Sequence, residues 1–262
     1  NETVGGGGWR LLWKTETSCD PTTQKVQVVP EGRIHHSMAH LEGTLLVFGG
    51  RRCLGHSNLE MNELWGYDLQ LGRWRHLLPS FFRRGLSNAR RLKQIAASDA
   101  DHRADYVVSR HESLTSPTWP ERRFLHTAAT LPGVEDKYGP GMYIFGGLDD
   151  EFNVHKPFKD LWRLETREPA ASEPEYGQGT RFKWRRLSDA PMPLWGHAAA
   201  SYGNRMYVHG GTNITLAEHV LNNNDAGHLL AVLMYYDAEA DRWQVMPSGK
   251  FSRALHTSFV SL

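Results

Sequence analysis

The 262 residues carry 30 Lys and Arg against 29 Asp and Glu, a formal net charge of +1. That balance leaves no basic footprint for nucleic acid or a membrane surface. No apolar run approaches the roughly 20 residues of a membrane span, and the length fits one domain or two.

In chain order, Asn1-Glu2-Thr3-Val4 and the four glycines after them read as a flexible lead-in. Trp9-Arg10-Leu11-Leu12 reads as a single strand, and residues 14–32, with Cys19 and Pro21, form a long connection. From Arg33 onward a four-part unit recurs. It opens with Arg33-Ile34-His35-His36-Ser37, expected to begin a strand. The apolar strand Leu45-Leu46-Val47-Phe48 follows and ends on Gly49-Gly50. A third strand is Leu64-Trp65-Gly66-Tyr67-Asp68, and a fourth opens at Trp74. The next copy holds Arg123-Phe124-Leu125-His126-Thr127, Met142 to Phe145 before Gly146-Gly147, Leu161 to Glu165, and Trp184. A further copy holds Leu194 to Ala198, Met206 to His209 before Gly210-Gly211, Leu233 to Asp237, and Trp243. Arg253-Ala254-Leu255-His256-Thr257 begins the unit once more.

The spacings keep register. His36 to Gly49 and His197 to Gly210 are both thirteen positions; Gly49 to Leu64 and Gly146 to Leu161 are both fifteen. A fixed period of short strands is the signature of a repeat architecture. Near-continuous apolar runs predict a second strand covered on both faces. The glycine pairs predict positive φ or close approach of another chain segment.

The glycine pair after an apolar strand, the aromatic of the third strand and the tryptophan of the fourth resemble the kelch repeat. The resemblance covers almost the whole chain. It implies an all-β β-propeller of four-stranded blades, residues 1–262 forming one propeller segment. Three complete blades are expected at about 33–79, 123–188 and 194–247, with orphan strands at each end. Propellers close with about 4–8 blades, so three imply part of a larger ring. Residues 80–122 form an inserted loop, in which Ser87 to Ala97 reads as a short helix capped by Ser87 or Asn88, with Leu92, Ile95 and Ala96 on one side. It reads either as a surface excursion or as a partner-docking arm.

Alternating strand direction puts the four-to-one and two-to-three connections on one side of the disc. The insertions 14–32, 51–62, 80–122, 148–159 and 212–230 all fall there. The other side has tight turns at Glu42-Gly43, Gly72-Arg73 and Gly203-Asn204, with exceptions at 131–141 and 166–182. Long loops gathered on a rigid scaffold carry binding. The first side is therefore the expected partner face, with Arg51, Arg52, His56, Asp149, Asp150, Glu151, His155, Asn213 and His219 as candidate contacts. In the kelch family this face often binds partners.

Fourteen histidines invite a metal reading. His36, His126, His197 and His256 share one repeat position, however, which points to hydrogen bonding of strand backbone. His209 stands where other copies have Phe48 and Phe145, a packing position. No metal-ligand spacing, no phosphate-binding loop and no nucleophile elbow is present, so no metal, cofactor or catalytic residue is assigned. Cys19 and Cys53 emerge on one face, within disulfide reach or as two unrelated thiols. Asn1 and Asn213 open Asn-x-Thr sequons. Together these point to a secretory or extracellular setting, with the cytoplasm as the alternative.

The resulting expectation is a non-catalytic protein-interaction scaffold. Gly49, Gly50, Gly146, Gly147, Gly210, Gly211, Trp74, Trp184 and Trp243 build it. Protein partners, and other chains or segments completing the ring, are implied. A cytosolic substrate adaptor, and a propeller enzyme or carbohydrate-binding module, are the alternatives.

Overall fold

The computed structural model describes residues 29–54, 57–78, 119–149, 156–166, 182–214 and 229–247. The strand near Trp9, the insertion through residue 118 with its expected helix, and residues 248–262 lie outside the described residues. Those described form sixteen β-strands and no helix.

Three four-stranded antiparallel sheets carry the fold. Blade one runs β1 (Ser37–Leu41), β2 (Thr44–Phe48), β5 (Leu64–Asp68) and β6 (Arg73–Leu78). Between β2 and β5 stands a hairpin, β3 (Arg51–Leu54) and β4 (Ser57–Glu60). Blade two is β7 (Thr127–Leu131), β8 (Gly141–Phe145), β11 (Leu161–Thr166) and β12 (Phe182–Arg186). It carries a smaller hairpin, β9 (Leu148–Asp149) and β10 (Lys156–Pro157). Blade three is β13 (Ala198–Tyr202), β14 (Arg205–His209), β15 (Leu233–Asp237) and β16 (Arg242–Met246).

The recurring Arg-x-x-His stretch is not the start of strand one. Each inner strand begins one residue after the histidine, because the residue before it is left-handed: His35 and Leu125 at φ 56°, Gly196 at φ 64°. Left-handed backbone cannot extend a pleat. The stretch is instead a lead-in that steps from blade to blade. The Leu125 amide donates to the His35 carbonyl, and the Gly196 amide to the Leu125 carbonyl, both at 3.1 Å.

Burial along strand two follows the packing. All of β8 is buried, with a blade on either side. β14 alternates instead: Met206 and Val208 are buried, while Arg205, Tyr207 and His209 are not. Only its blade-two side is packed by the described residues.

Two seams join the blades and repeat the same chemistry. Phe48 at the end of β2 is met edge-on by Trp184 at 5.0 Å and by His126 at 5.6 Å. Phe145 at the end of β8 is met by Trp243 at 4.8 Å and His197 at 5.0 Å. The strand-four tryptophan of each later blade thus fills the preceding blade. The glycine pairs let the next lead-in come close. The Gly50 amide donates to the Arg123 carbonyl at 2.9 Å, and the Gly147 amide to the Leu194 carbonyl at 2.8 Å.

The seam histidines bond a side-chain hydroxyl, and His126 also bonds the backbone of Phe48 at the end of β2, as the repeat position suggested. His126 Nε2 shares a hydrogen bond with Ser37 at 2.7 Å, and His197 Nε2 with Thr127 at 2.8 Å. His126 is buried, and burial first, then the Arg123 charge and the neighbouring histidines, hold its pKa well below 6.5. The unfolded chain therefore takes up a proton below pH 6.5 that the fold refuses, so stability falls as pH drops through that value. This one group is expected to cost on the order of 1 kcal/mol between pH 7.5 and 5.5. Glu63 does not compete there: burial raises its pKa, but His76 and Arg33 outweigh that and hold it at about 2, below its ordinary 4.5. Its contribution is present above pH 4.5 and is lost toward pH 2. Urea unfolding at the two pH values should show a drop that His126→Gln reduces by on the order of 1 kcal/mol; an undiminished drop in the variant contradicts the assignment.

Candidate interaction face

The excursions between strands two and three are built, not loose. In blade one the Met61 amide closes β3–β4 onto the Gly50 carbonyl; in blade two the Phe158 amide closes β9–β10 onto Gly147; in blade three the Leu230 amide reaches Gly211. The first residue of each excursion also bridges its own blade's lead-in: Ile34 with Arg51, Phe124 with Leu148, Trp195 with Thr212. Hairpin and lead-in thus share hydrogen bonds on the side where the sequence places its insertions. On the opposite side the connections 41–44, 68–73, 202–205 and 237–242 are tight turns. Glu42 and Gly43 are both left-handed, and Asp68 Oδ1 accepts from the Gln70 and Leu71 amides. The described exception there is the 132–139 loop, whose Tyr138 hydroxyl donates to the Ala238 carbonyl of blade three.

Two largely enclosed ion pairs anchor this face. Arg33 bonds Glu63 at 2.5 Å and the Gly49 carbonyl at 3.2 Å. Arg123, fully buried, grips both carboxylate oxygens of Asp160 at 2.8 Å and the Gly146 carbonyl at 3.0 Å. Its guanidinium also lies 4.3 Å over the Phe158 ring. Burial pushes the Asp160 carboxyl up, and Arg123 and Trp162 more than reverse it, so its pKa stands below the ordinary value. Arg33 and Arg123 are the same repeat position, as are Glu63 and Asp160. Blade three has Leu194 and Val232 there, an apolar pair within the core between blades two and three. The repeated arginine is visible in the sequence; its acidic partner is hidden because it sits in a connection without strand pattern.

The predicted contact residues separate. Arg51 is largely enclosed: its Nε lies 3.3 Å from Glu60, and its guanidinium sits 4.8 Å over Phe124 of the next blade. Asp149 is 9% exposed. Arg52 and Cys53 lie on β3, paired with Leu59 and Asn58. Asn213 is exposed just beyond the third glycine pair. His56, Asp150, Glu151, His155, His219, Asn1 and Cys19 lie outside the described residues. Sequence reasoning missed the lead-in itself. Ile34 is 48% exposed there, and His35 is exposed beside it. Burial and the Arg51 charge lower the His35 pKa. Among the described residues no group of three His, Cys, Asp or Glu side chains gathers as a metal site, and no helix is long and apolar enough to cross a membrane.

Four-stranded antiparallel sheets, stacked face to face with inner strands in contact, define the class: a β-propeller. The chain is similar to Host cell factor 2 of Homo sapiens, 28% identical in an alignment of 218 residues that covers 70% of this chain and 25% of that protein. It therefore spans a quarter of the length of this curated relative. A solved structure described as "Structure of YjhT" is 12% identical, with a TM-score of 0.49, over 85% of this chain and 54% of that one. No family model matches the chain.

Proposed function

We propose that the chain is a kelch-type propeller segment acting as a non-catalytic protein-interaction scaffold, with the hairpin-bearing side as its binding face. The carrying observation is the asymmetry of the disc. The β3–β4 and β9–β10 hairpins stand together on one side, hydrogen-bonded to lead-ins that the seams hold rigid, while the opposite side is mostly tight turns. Such a scaffold positions variable tips without moving itself, the arrangement that favours binding. The partner is a protein, met by residues around Arg52, His56, Asp150, Glu151, His155 and His219, with Arg51 and Asp149 holding the hairpin bases. The larger protein or assembly to which this segment belongs would complete the ring.

A photo-crosslinking amino acid at Arg52, and separately at exposed Gln70 on the turn side, tests this in cells. A discrete protein adduct from Arg52 and none from Gln70 supports the face. Adducts from Gln70 alone, or equally from both, overturn it.

A further inference from the structure

Blade two departs from its neighbours in three places at once. The connection between strands one and two is two residues in blades one and three, Glu42-Gly43 and Gly203-Asn204, but runs from 132 to 140 in blade two. The third strand carries a charge, Arg163, where the others have Gly66 and Tyr235. The second strand opens on Gly141, where the others have Thr44 and Arg205.

The three departures fit one another. Arg163 is 1% exposed, and a charge buried in a sheet is costly unless it is paired and hydrogen-bonded. Its Nη1 donates to the Glu165 carboxylate and its Nη2 to the Gly139 carbonyl at 2.7 Å, while the guanidinium lies 4.1 Å over the Tyr138 ring. Gly141 leaves room for it: a Cβ there would stand 2.9 Å from Arg163 Nε. Gly133, at φ 108°, pinches the neck of the loop, where a Cβ would stand 2.6 Å from the Gly139 carbonyl carbon. The loop then reaches blade three. The Tyr138 hydroxyl donates to the Ala238 carbonyl, and Lys137 Nζ to the Glu239 carbonyl at 2.7 Å. The turn on which it lands is itself fixed: Asp237 Oδ1 accepts from the Glu239 and Ala240 amides, and the Ala238 amide donates to the Asn204 carbonyl. The same turn in blade one receives no loop among the described residues, and Leu69 and Leu71 stand 47% and 57% exposed on it.

We propose that residues 132–139 are a strap that latches blade three to blade two, with Arg163 as its buried foot, and that blade three opens as a unit when the strap lets go. Folded chains open locally in cooperative units, set by how each unit is fastened to the rest. The aromatic contacts and the glycine approaches recur at both seams, so they do not distinguish one from the other. On the turn side the fastenings differ. Between blades one and two Thr130 Oγ1 donates to the His40 carbonyl at 2.7 Å. Between blades two and three stand the Tyr138 and Lys137 bonds, held from below by Arg163. Opening blade three breaks them, and opening blade one leaves them intact.

Hydrogen exchange on the intact chain at neutral pH tests the latch. Tyr138→Phe removes the hydroxyl bond and keeps the ring against Arg163. Amides of β14 and β15 should then exchange about fivefold faster, the worth of one neutral hydrogen bond, while those of β1 and β2 keep their rates. Arg163→Met, which leaves Glu165 its bond to Arg185, should accelerate the same amides at least as much. Equal acceleration in all three blades, the mark of a general loss of stability, overturns the proposal. So do unchanged β14 and β15 rates in either variant.

Discussion

Gly146→Ala is expected to destabilise the protein by about 3 kcal/mol or more, against about 1 kcal/mol for Gly203→Ala. Both glycines are left-handed, at φ 66° and φ 55°, so both substitutions incur the steric cost of that conformation. They differ in what the new methyl meets. At Gly203 nothing lies within 4 Å. At Gly146 a Cβ would stand 2.3 Å from the Leu194 carbonyl oxygen and 2.8 Å from His197 Cε1. The first obstacle is backbone, and the adjacent Gly147 amide donates to that same carbonyl. Relief therefore requires the lead-in of blade three to back away, which also disturbs the contact of His197 with Phe145. Urea unfolding should show the difference as a shift in midpoint at constant slope. Equal losses at the two glycines would mean that the seam is not closed by this approach.

Arg123→Leu is expected to cost about 3–5 kcal/mol, because it leaves the Asp160 carboxylate buried without its counter-charge. The bond from Trp162 Nε1 to Asp160 at 2.6 Å survives, but it does not neutralise the charge. The double variant Arg123→Leu/Asp160→Val should recover most of that loss. Blade three is the precedent. The Gly210 amide donates to the Val232 carbonyl as the Gly146 amide does to that of Asp160, so Val232 and Asp160 occupy the same register. Leu194 and Val232 are 0% and 9% exposed. The same fold thus accepts an apolar pair where two of its blades use an ion pair. A double-mutant cycle should return a coupling of about 2 kcal/mol or more. Additive losses would show that Arg123 acts through the Gly146 carbonyl and Phe158 rather than through Asp160.

What could be read from the sequence was what the backbone demands at each repeat. The glycine pairs declared themselves because a lead-in passes too close for any side chain, and Trp184 and Trp243 because each fills the blade before it. The hairpins on the partner face were legible only as insertions. Arg51 to Glu60 has no alternation or turn signal that separates a hairpin from a loop, and its pairing depends on hydrogen bonds back to Gly50 and Ile34. The hydroxyl partners of His126 and His197 were hidden for a related reason: Ser37 and Thr127 lie 89 and 70 residues away, and only the stacking of blades brings them to the rings. Arg51 illustrates the limit for the candidate site. A charged residue in an insertion reads as a free contact, yet Glu60 and Phe124 engage it, and the tips beyond it carry no repeat to align.

The measurement that bears most directly on the function is the comparison of crosslinks from Arg52 on β3 and Gln70 on the opposite turn. If the hairpin side is the binding face, the Arg52 position yields a partner adduct that a competing excess of unmodified protein removes, and the Gln70 position yields none. A competable adduct confined to Gln70 would place the partner on the turn side and contradict the reading.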